Sequence, residues 1–560
     1  MPLMLNKLAS LIENVLTTNS SLSFDPLQLS RFMLGTEGLE QSENKQRALL
    51  GVITLTQSHE IKALLDLANR CATDDTLAFS LYPISTGNNW GYGTSQPAGL
   101  SKKIILVDLG KLTNIKHFDS ELGLVTIEPG VTQQQLSDYL QLNNHGYMVP
   151  VTGAGPDCSI LANALERGYG ITPYTDHFSA VTSIQGYWAN GRAYQSAVNE
   201  LDGSDDKFVD KTFKWGLGPY LEGLFTQSNL GIVSQMTIRL AKKKADFSSF
   251  FIQMQDDALL EKSVPLIRQV LQDYEGIVGS INLMDQRRLL SMFAKNPKGN
   301  GVHQVMNNQE ITKLVKDLQT PNWTIVGSIY GSVGVVSAVK KEIDAIFSQL
   351  PCKRVYSNSL AIVLTNKVIN NLPDWLIGKI PTLTKVAEKL DSFNKGKEIM
   401  LGKPNKVALK LAYWRHKGAE GFDKDKLSPG KDGCGLLWYA PLITMKANKM
   451  REFVDFIRET CPRFNIEPFI TFTNLKHDCV DSTIPIVFDL SNPQAVADAH
   501  NCLKVLVEEG LKKGFVPYRL SIDQQQWLLN KDSDFWQTVN QLKGSLDPHN
   551  ILSQGRYNPN

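Results

Sequence analysis

The 560 residues, 42% hydrophobic and 20% charged, describe a globular chain long enough for two to four domains. A formal net charge of +2 excludes a general attraction to nucleic acid or an anionic membrane, and no basic stripe with interleaved aromatics occurs. Seven scattered cysteines without a C-x-x-C pair argue against a disulfide framework or a structural zinc and for a reducing compartment.

In chain order, MPLMLNKLASLIENVL has helical alternation and none of the features of a secretory leader, so a cytoplasmic location is expected. No uncharged run reaches the ~20 apolar residues of a membrane span. ALLGVITLT predicts a strand, and HEIKALLDLANR a helix with Ser58 as its N-cap. AFSLY predicts a second strand, which runs into PISTGNNWGYG, residues 83–93. Gly and Asn tolerate positive φ, so this loop can fold on itself and turn successive N–H groups inward. Such a row of amides binds an anion without a charged side chain, and the loop reads as a pyrophosphate cradle. The plainer alternative is a Gly/Asn-rich surface turn.

KIILVDL and LVTIEPG predict two further strands. Thr132 and Gln135 have capping-box spacing for the helix that follows, with Asn144 and Gly146 at its C-terminal end. In residues 149–178, Gly153 and Gly155 allow close backbone approach to a flat ligand, while Ser159 and Asn163 can hydrogen-bond at the head of a helix. A glycine-rich loop capping an ordinary helix is the alternative. GIVSQMTIRL predicts an alternating strand, and AKKKADF marks a composition shift near residue 242. Beyond it, TIVGSIYGSV, SLAIVLT, GLLWYAPLIT, EPFITFT and IPIVFDL are candidate strands. VVSAVKKEIDAIFSQL and NKMREFVDFIRETC are candidate helices, and together these suggest an α+β domain around an antiparallel sheet. Residues 395–433 read as a long surface loop or lid.

The series PISTGNNWGYG, EPGVT, NALERGYGITPYTDH, FTQSNLGIV and DPHNILSQGRY resembles the vanillyl-alcohol oxidase and p-cresol methylhydroxylase family of flavoproteins. The resemblance covers roughly residues 45–240 and 430–560. It implies an α+β, two-domain PCMH-type FAD-binding fold with an inserted cap domain: residues 1–242 as the main FAD part, 243–504 as the cap, and 505–560 returning to the FAD domain. A convincing G-x-G-x-x-G in a βαβ context is absent, so a nicotinamide dehydrogenase lacks its main signal.

By the same resemblance FAD would be held by Ser85, Thr86, Gly87, Asn88, Asn89, Trp90, Pro150, Gly153, Gly155, Ser159, Asn163, Gly231, Ile232, Val233 and Arg556. Tyr92, Tyr518 and Arg519 match the family's phenolate pocket, and Thr471 falls on an active-site position. Adjacent strand residues face opposite sides, so Tyr518 and Arg519 can share one ligand only if the chain bends there. Two departures stand out. Val151 occupies the position of the oxidase branch's aspartate, with Asp157 further on as a replacement. Leu436 stands where some members tether the flavin through histidine, so FAD is expected to be dissociable, with Tyr439 and Cys434 as remote alternatives. His177 reads as a structural histidine.

The implied reaction removes a hydride from the benzylic carbon of a 4-alkylphenol or 4-hydroxybenzyl alcohol through a quinone methide. The alternatives are a flavoenzyme for a non-phenolic alcohol, amine or hydroxy acid, and a scaffold that keeps the fold without turnover. Oxygen or a redox partner would take the electrons. A homodimer is expected by analogy; no metal, nucleic acid or membrane span is expected.

Overall fold

The computed structural model describes residues 2–38, 49–97, 103–359 and 381–559, with positions 365 and 369. Its first lobe holds two sheets. In one, Leu49–Thr54, Ile104–Asp108 and Ser80–Ile84 run parallel in that order, and Ser21–Ser23 adds an antiparallel edge. These strands are apolar runs because helix and chain cover both faces. The helix Glu60–Cys71 seals one face with Ile61, Leu64, Leu65 and Ala68. Each of the isoleucine and leucine side chains contributes about 1.5–3 kcal/mol on burial. The helix begins one residue later than the sequence suggests. His59 is the N-cap and makes no side-chain cap bond. Glu60 instead accepts the amides of Thr17 at 2.6 Å and Gln57 at 2.9 Å.

The second sheet is antiparallel and has five strands, with Gly231–Arg239 between Leu124–Ile127 and Val181–Trp188. The helix Gln133–Leu142 carries the complete Thr132/Gln135 capping box. Beyond its C-terminus Asn144 takes the left-handed turn with φ 52°, and Gly146 does not.

The second lobe is built on an eight-stranded antiparallel sheet. Its order is Cys352–Tyr356, Asp246–Met254, Trp323–Gly331, Ile281–Asp285, Thr471–Asn474, Cys479–Ser482, Pro441–Thr444 and Val516–Pro517. Alternate residues such as Phe250, Ile252, Ile281, Leu283, Ile325 and Ile329 enter one core. The helices Leu259–Asp273, Val333–Phe347, Ala447–Thr460 and Pro493–Lys512 close that core. The opposite face turns to the first lobe, where the Tyr330 hydroxyl donates to the Ile171 carbonyl at 3.3 Å.

GLLWYAPLIT is not one strand. It breaks at Ala440, and its halves pair with different sheets: Cys434–Tyr439 with Ile484–Asp489, and Pro441–Thr444 with Cys479–Ser482. Residues 395–433 are not a bare loop. The helix Pro381–Met400 enters them, and the 3-10 segment Val407–Tyr413 buries Leu409, Leu411 and Tyr413. Most of SLAIVLT lies outside the described residues. The helix Pro493–Lys512 runs through residue 504, where the resemblance puts a domain boundary. The chain end returns to the first lobe, where Leu81 bonds Ile551 and Ser553 beside the parallel strands.

Candidate active site

Between the lobes lies a cavity of about 410 Å³, within the range of small-molecule sites. Its floor starts where the strand Ser80–Ile84 ends. Gly87, Gly91 and Gly93 have φ of 70°, 78° and 66°, so the chain reverses repeatedly over residues 85–93. At Gly91 a Cβ would lie 2.4 Å from Trp438 Cδ1. The Gly91 amide donates to Thr36 Oγ1 and to Glu37 Oε1, both at 2.8 Å. The next loop is tied to this one. Asn88 Nδ2 donates to the Asp157 carbonyl at 3.0 Å, and Trp90 Nε1 to the Ala154 carbonyl at 3.0 Å. Ser159 caps the helix Ile160–Leu165 by accepting from the Ala162 amide at 3.1 Å.

Ser85, Thr86, Gly87, Asn88, Asn89, Trp90, Gly153, Ser159, Asn163, Gly231, Ile232, Val233 and Arg556 all line the cavity. Pro150 and Gly155 belong to the same loop but not to the lining. His177 is also outside it. Its Nδ1 meets Asn163 Nδ2 at 2.6 Å, and burial lowers its pKa to about 4.

Tyr92, Tyr518 and Arg519 come together on one wall. The last strand stops at Pro517, and the chain bends at Tyr518 and Arg519. That bend lets neighbouring residues face one cavity. The Tyr92 and Tyr518 phenols are neighbours close enough to perturb each other. The Arg519 guanidinium lies 4.2 Å from the Tyr92 ring centroid, and its Nη2 donates to Asn89 Oδ1 at 2.9 Å. Burial pushes the Tyr92 phenol up to about 12 although Arg519 opposes the shift. Burial also holds Tyr518 well above the usual phenol range.

Two residues join this wall without a sequence signal, and a third, Asp481, lies behind it. Glu166 pairs with Arg556 and lies 3.3 Å from Arg519 Nε, so one buried carboxylate faces two guanidiniums. Tyr169 lines the cavity 5.7 Å from the Tyr518 ring. Its hydroxyl faces Asp481, whose carboxyl is pushed up to about 7 by burial. Each depends on contacts between distant segments, which local patterning does not carry.

Two candidates stand elsewhere. The Asp157 side chain is 69% exposed and lies 3.4 Å from Lys406 Nζ, outside the lining. Thr471 sits inside the second-lobe sheet and is also outside the lining. Val151 is fully buried in the first-lobe core. Leu436 lines the cavity, whereas Tyr439 and Cys434 are fully buried and do not. Among the described residues there is no cluster of three metal-ligating side chains, and no helix is long and apolar enough to cross a membrane.

The family model for an FAD binding domain matches residues 50–195. The chain is 27% identical to 1'-carboxy-chondrochloren decarboxylase of Chondromyces crocatus, over 94% of this chain and 96% of the relative. It is 24% identical to the 4-cresol dehydrogenase [hydroxylating] flavoprotein subunit of Pseudomonas putida, over 92% and 88%. Substrate-bound p-cresol methylhydroxylase superposes with a TM-score of 0.83 at 22% identity, covering 100% of this chain and 97% of that one. The isoeugenol complex of 4-ethylphenol oxidase from Gulosibacter chungangensis gives 0.82 at 18%, covering 99% and 97%.

The lining suits FAD. Amide and hydroxyl donors cluster at residues 85–89, and the buried Arg556 Nε has no hydrogen-bond partner among the described residues. Apolar Ile84, Leu109, Leu161 and Ile232 supply flat contact surface. The chain carries an FAD binding domain in the two-domain fold of p-cresol methylhydroxylase, and it is an FAD-dependent flavoenzyme.

Proposed function

We propose that the protein oxidises a para-substituted phenol at its benzylic carbon. The observation that carries this reading is the convergence of Tyr92, Tyr518 and Arg519 on one cavity wall. A phenol has a pKa near 10. Two phenolic donors and a guanidinium around its oxygen favour the anion. The phenolate pushes electron density to its para carbon, and loss of a hydride from the benzylic carbon leaves a neutral quinone methide. Bound FAD supplies the two-electron acceptor for that hydride. The protein's residues bind and orient the ring: the Tyr92 and Tyr518 hydroxyls, kept protonated by burial, and the Arg519 guanidinium donate to the phenolate oxygen, and the phenol proton leaves to solvent as the substrate enters.

FAD is proposed to be dissociable. Leu436 cannot form a bond to it, and Tyr439 and Cys434 are packed away from the cavity. Anaerobic titration of the FAD-loaded protein with 4-alkylphenols tests the reaction. Bleaching of the flavin absorbance is expected, and readmitted oxygen then reports whether oxygen restores it. A yellow protein that no phenol bleaches would overturn the reading.

A second reading is favoured by the 27% relative, which is named a decarboxylase of a carboxylated compound. Loss of carbon dioxide from the benzylic carbon leaves the same electron pair to be removed. Carbon dioxide release from a 4-hydroxyphenyl carboxylic acid separates it from simple benzylic oxidation.

A further inference from the structure

The cavity has a cation that the phenol chemistry leaves unused. The strand Ile281–Asp285 passes directly into the helix Gln286–Phe293, capped by Asp285. Arg287 and Arg288 leave that helix side by side and meet different fates. Arg287 pairs with Glu467 at 2.7 Å. Arg288 lines the cavity. The one hydrogen-bond partner of its guanidinium among the described residues is Ser291 Oγ, 3.0 Å from Nη1.

The nearest acidic group does not compensate it. Asp285 Oδ1 accepts the Arg288 and Ile470 amides at 2.9 and 3.1 Å, and no carboxylate among the described residues lies within ion-pair distance of the guanidinium. Among the lining residues three are cationic (Arg288, Arg519 and Arg556) and one is acidic, Glu166. Glu166 is already shared by Arg519 and Arg556. Removing a guanidinium from water without a counter-ion is costly, and proteins keep such groups where a ligand completes the pair. The planar fork of arginine suits a carboxylate, which can accept two parallel N–H bonds.

Arg288 is also separate from the phenol wall. It comes from the helix that follows a second-lobe strand and packs beside the 3-10 segment Val407–Tyr413, whose Leu409, Leu411 and Ala412 line the cavity with it. The wall of Tyr92 and Arg519 is built instead from the loop at residues 85–93 and the bend after Pro517.

We propose that Arg288 is a second anchor, which binds a carboxylate on the side chain of the substrate. The inference deepens the reading under Proposed function, because the phenol oxygen and the carboxylate would then fix the two ends of one molecule. It makes the substrate class a 4-hydroxyphenyl carboxylic acid.

The test uses the FAD-loaded protein reduced beforehand with dithionite, so that no turnover competes with binding. Calorimetry compares 4-hydroxybenzoate, 4-hydroxyphenylacetate and 3-(4-hydroxyphenyl)propanoate with their amides, and 3-phenylpropanoate with its amide. One acid is expected to bind about 10- to 100-fold tighter than its amide, as for a charge-assisted hydrogen-bonded pair. Arg288→Met should erase that preference, leaving amide affinity and flavin content unchanged; Arg288→Lys should keep part of it. Equal affinity of acid and amide in the natural protein overturns the anchor, and this comparison needs no variant. Loss of flavin in Arg288→Met also overturns it, since the residue would then serve the cofactor. Neutral phenols that bind with no acid preference leave the phenol reading standing alone. If 3-phenylpropanoate is preferred as strongly as its phenolic counterpart, and in an Arg288-dependent way, the anchor stands and the phenol reading falls.

Discussion

Arg519 and Tyr92, from opposite ends of the chain, meet face to face, with the guanidinium 4.2 Å from the ring centroid. The contact holds a cation beside the Tyr92 and Tyr518 phenols. Removing that cation while keeping its bulk, in Arg519→Met, should weaken binding of a 4-alkylphenol by about 1.5–3 kcal/mol. The check is the dissociation constant read from the perturbed flavin spectrum. Undiminished affinity would show that the guanidinium does not meet the phenol oxygen.

Glu166 carries a second expectation. Its side chain is 8% exposed and faces both Arg519 and Arg556. Glu166→Gln leaves two enclosed guanidiniums without their counter-charge. A loss of about 3–5 kcal/mol is expected, read as a lower urea midpoint at unchanged slope, together with weaker flavin retention.

Asp481 should imprint a pH dependence on stability. Burial raises its carboxyl to about 7 in the folded chain, against about 3.9 unfolded. A raised acid favours the folded state most below pH ~4, and that advantage is lost as pH rises from there to about 7. Every tenfold difference in proton affinity between the folded and unfolded chain is worth at most about 1.4 kcal/mol. Asp481→Asn removes this slope, so the variant should gain on the natural protein between pH 5 and pH 8. Parallel urea curves at the two pH values would expose the opposite trend.

The turn at Gly91 should tolerate no side chain. Its φ of 78° is left-handed, and a Cβ would meet Trp438 at 2.4 Å. The left-handed conformation alone costs roughly 1–2 kcal/mol for an L-residue. Gly91→Ala should therefore lower both the melting temperature and the flavin content of purified protein. Gly203, with open space around its Cβ, is the matched control.

Acid precipitation of the yellow protein should release all of the flavin into the supernatant. A coloured pellet would mean a covalent bond and would redirect attention to the side chains that line the cavity.

The parts of this architecture visible in the sequence are those governed by neighbouring residues. The Thr132/Gln135 capping box, the Ser159 cap and the reversals around Gly87 and Gly91 depend on local backbone chemistry. Tyr518 and Arg519 are legible only with a bend, which the strand end at Pro517 supplies. Other features follow from tertiary competition. Glu60 finds amide partners in Thr17 and Gln57, so its helix needs no hydroxyl cap from Ser58. Ala440 splits an apparently continuous apolar run because its two halves answer to different sheets. Glu166, Tyr169, Asp481 and Arg288 gain their surroundings from segments far away in the chain, and Asp157 is drawn outward to Lys406.

The Thr36–Glu37 dipeptide reaches further than the turn it supports. Besides taking the Gly91 amide, Thr36 accepts the Leu436 amide through its carbonyl at 2.7 Å, and the Glu37 carbonyl meets His500 Nε2 at 2.7 Å. Two residues thus buckle the glycine-rich loop at residues 85–93 to a strand and a helix of the other lobe. A hinge that swung the lobes apart would have to break this buckle and release the Tyr92 turn at the same moment. Traffic into the cavity is therefore expected to use small local doorways, with the two halves of the molecule staying clasped through every cycle.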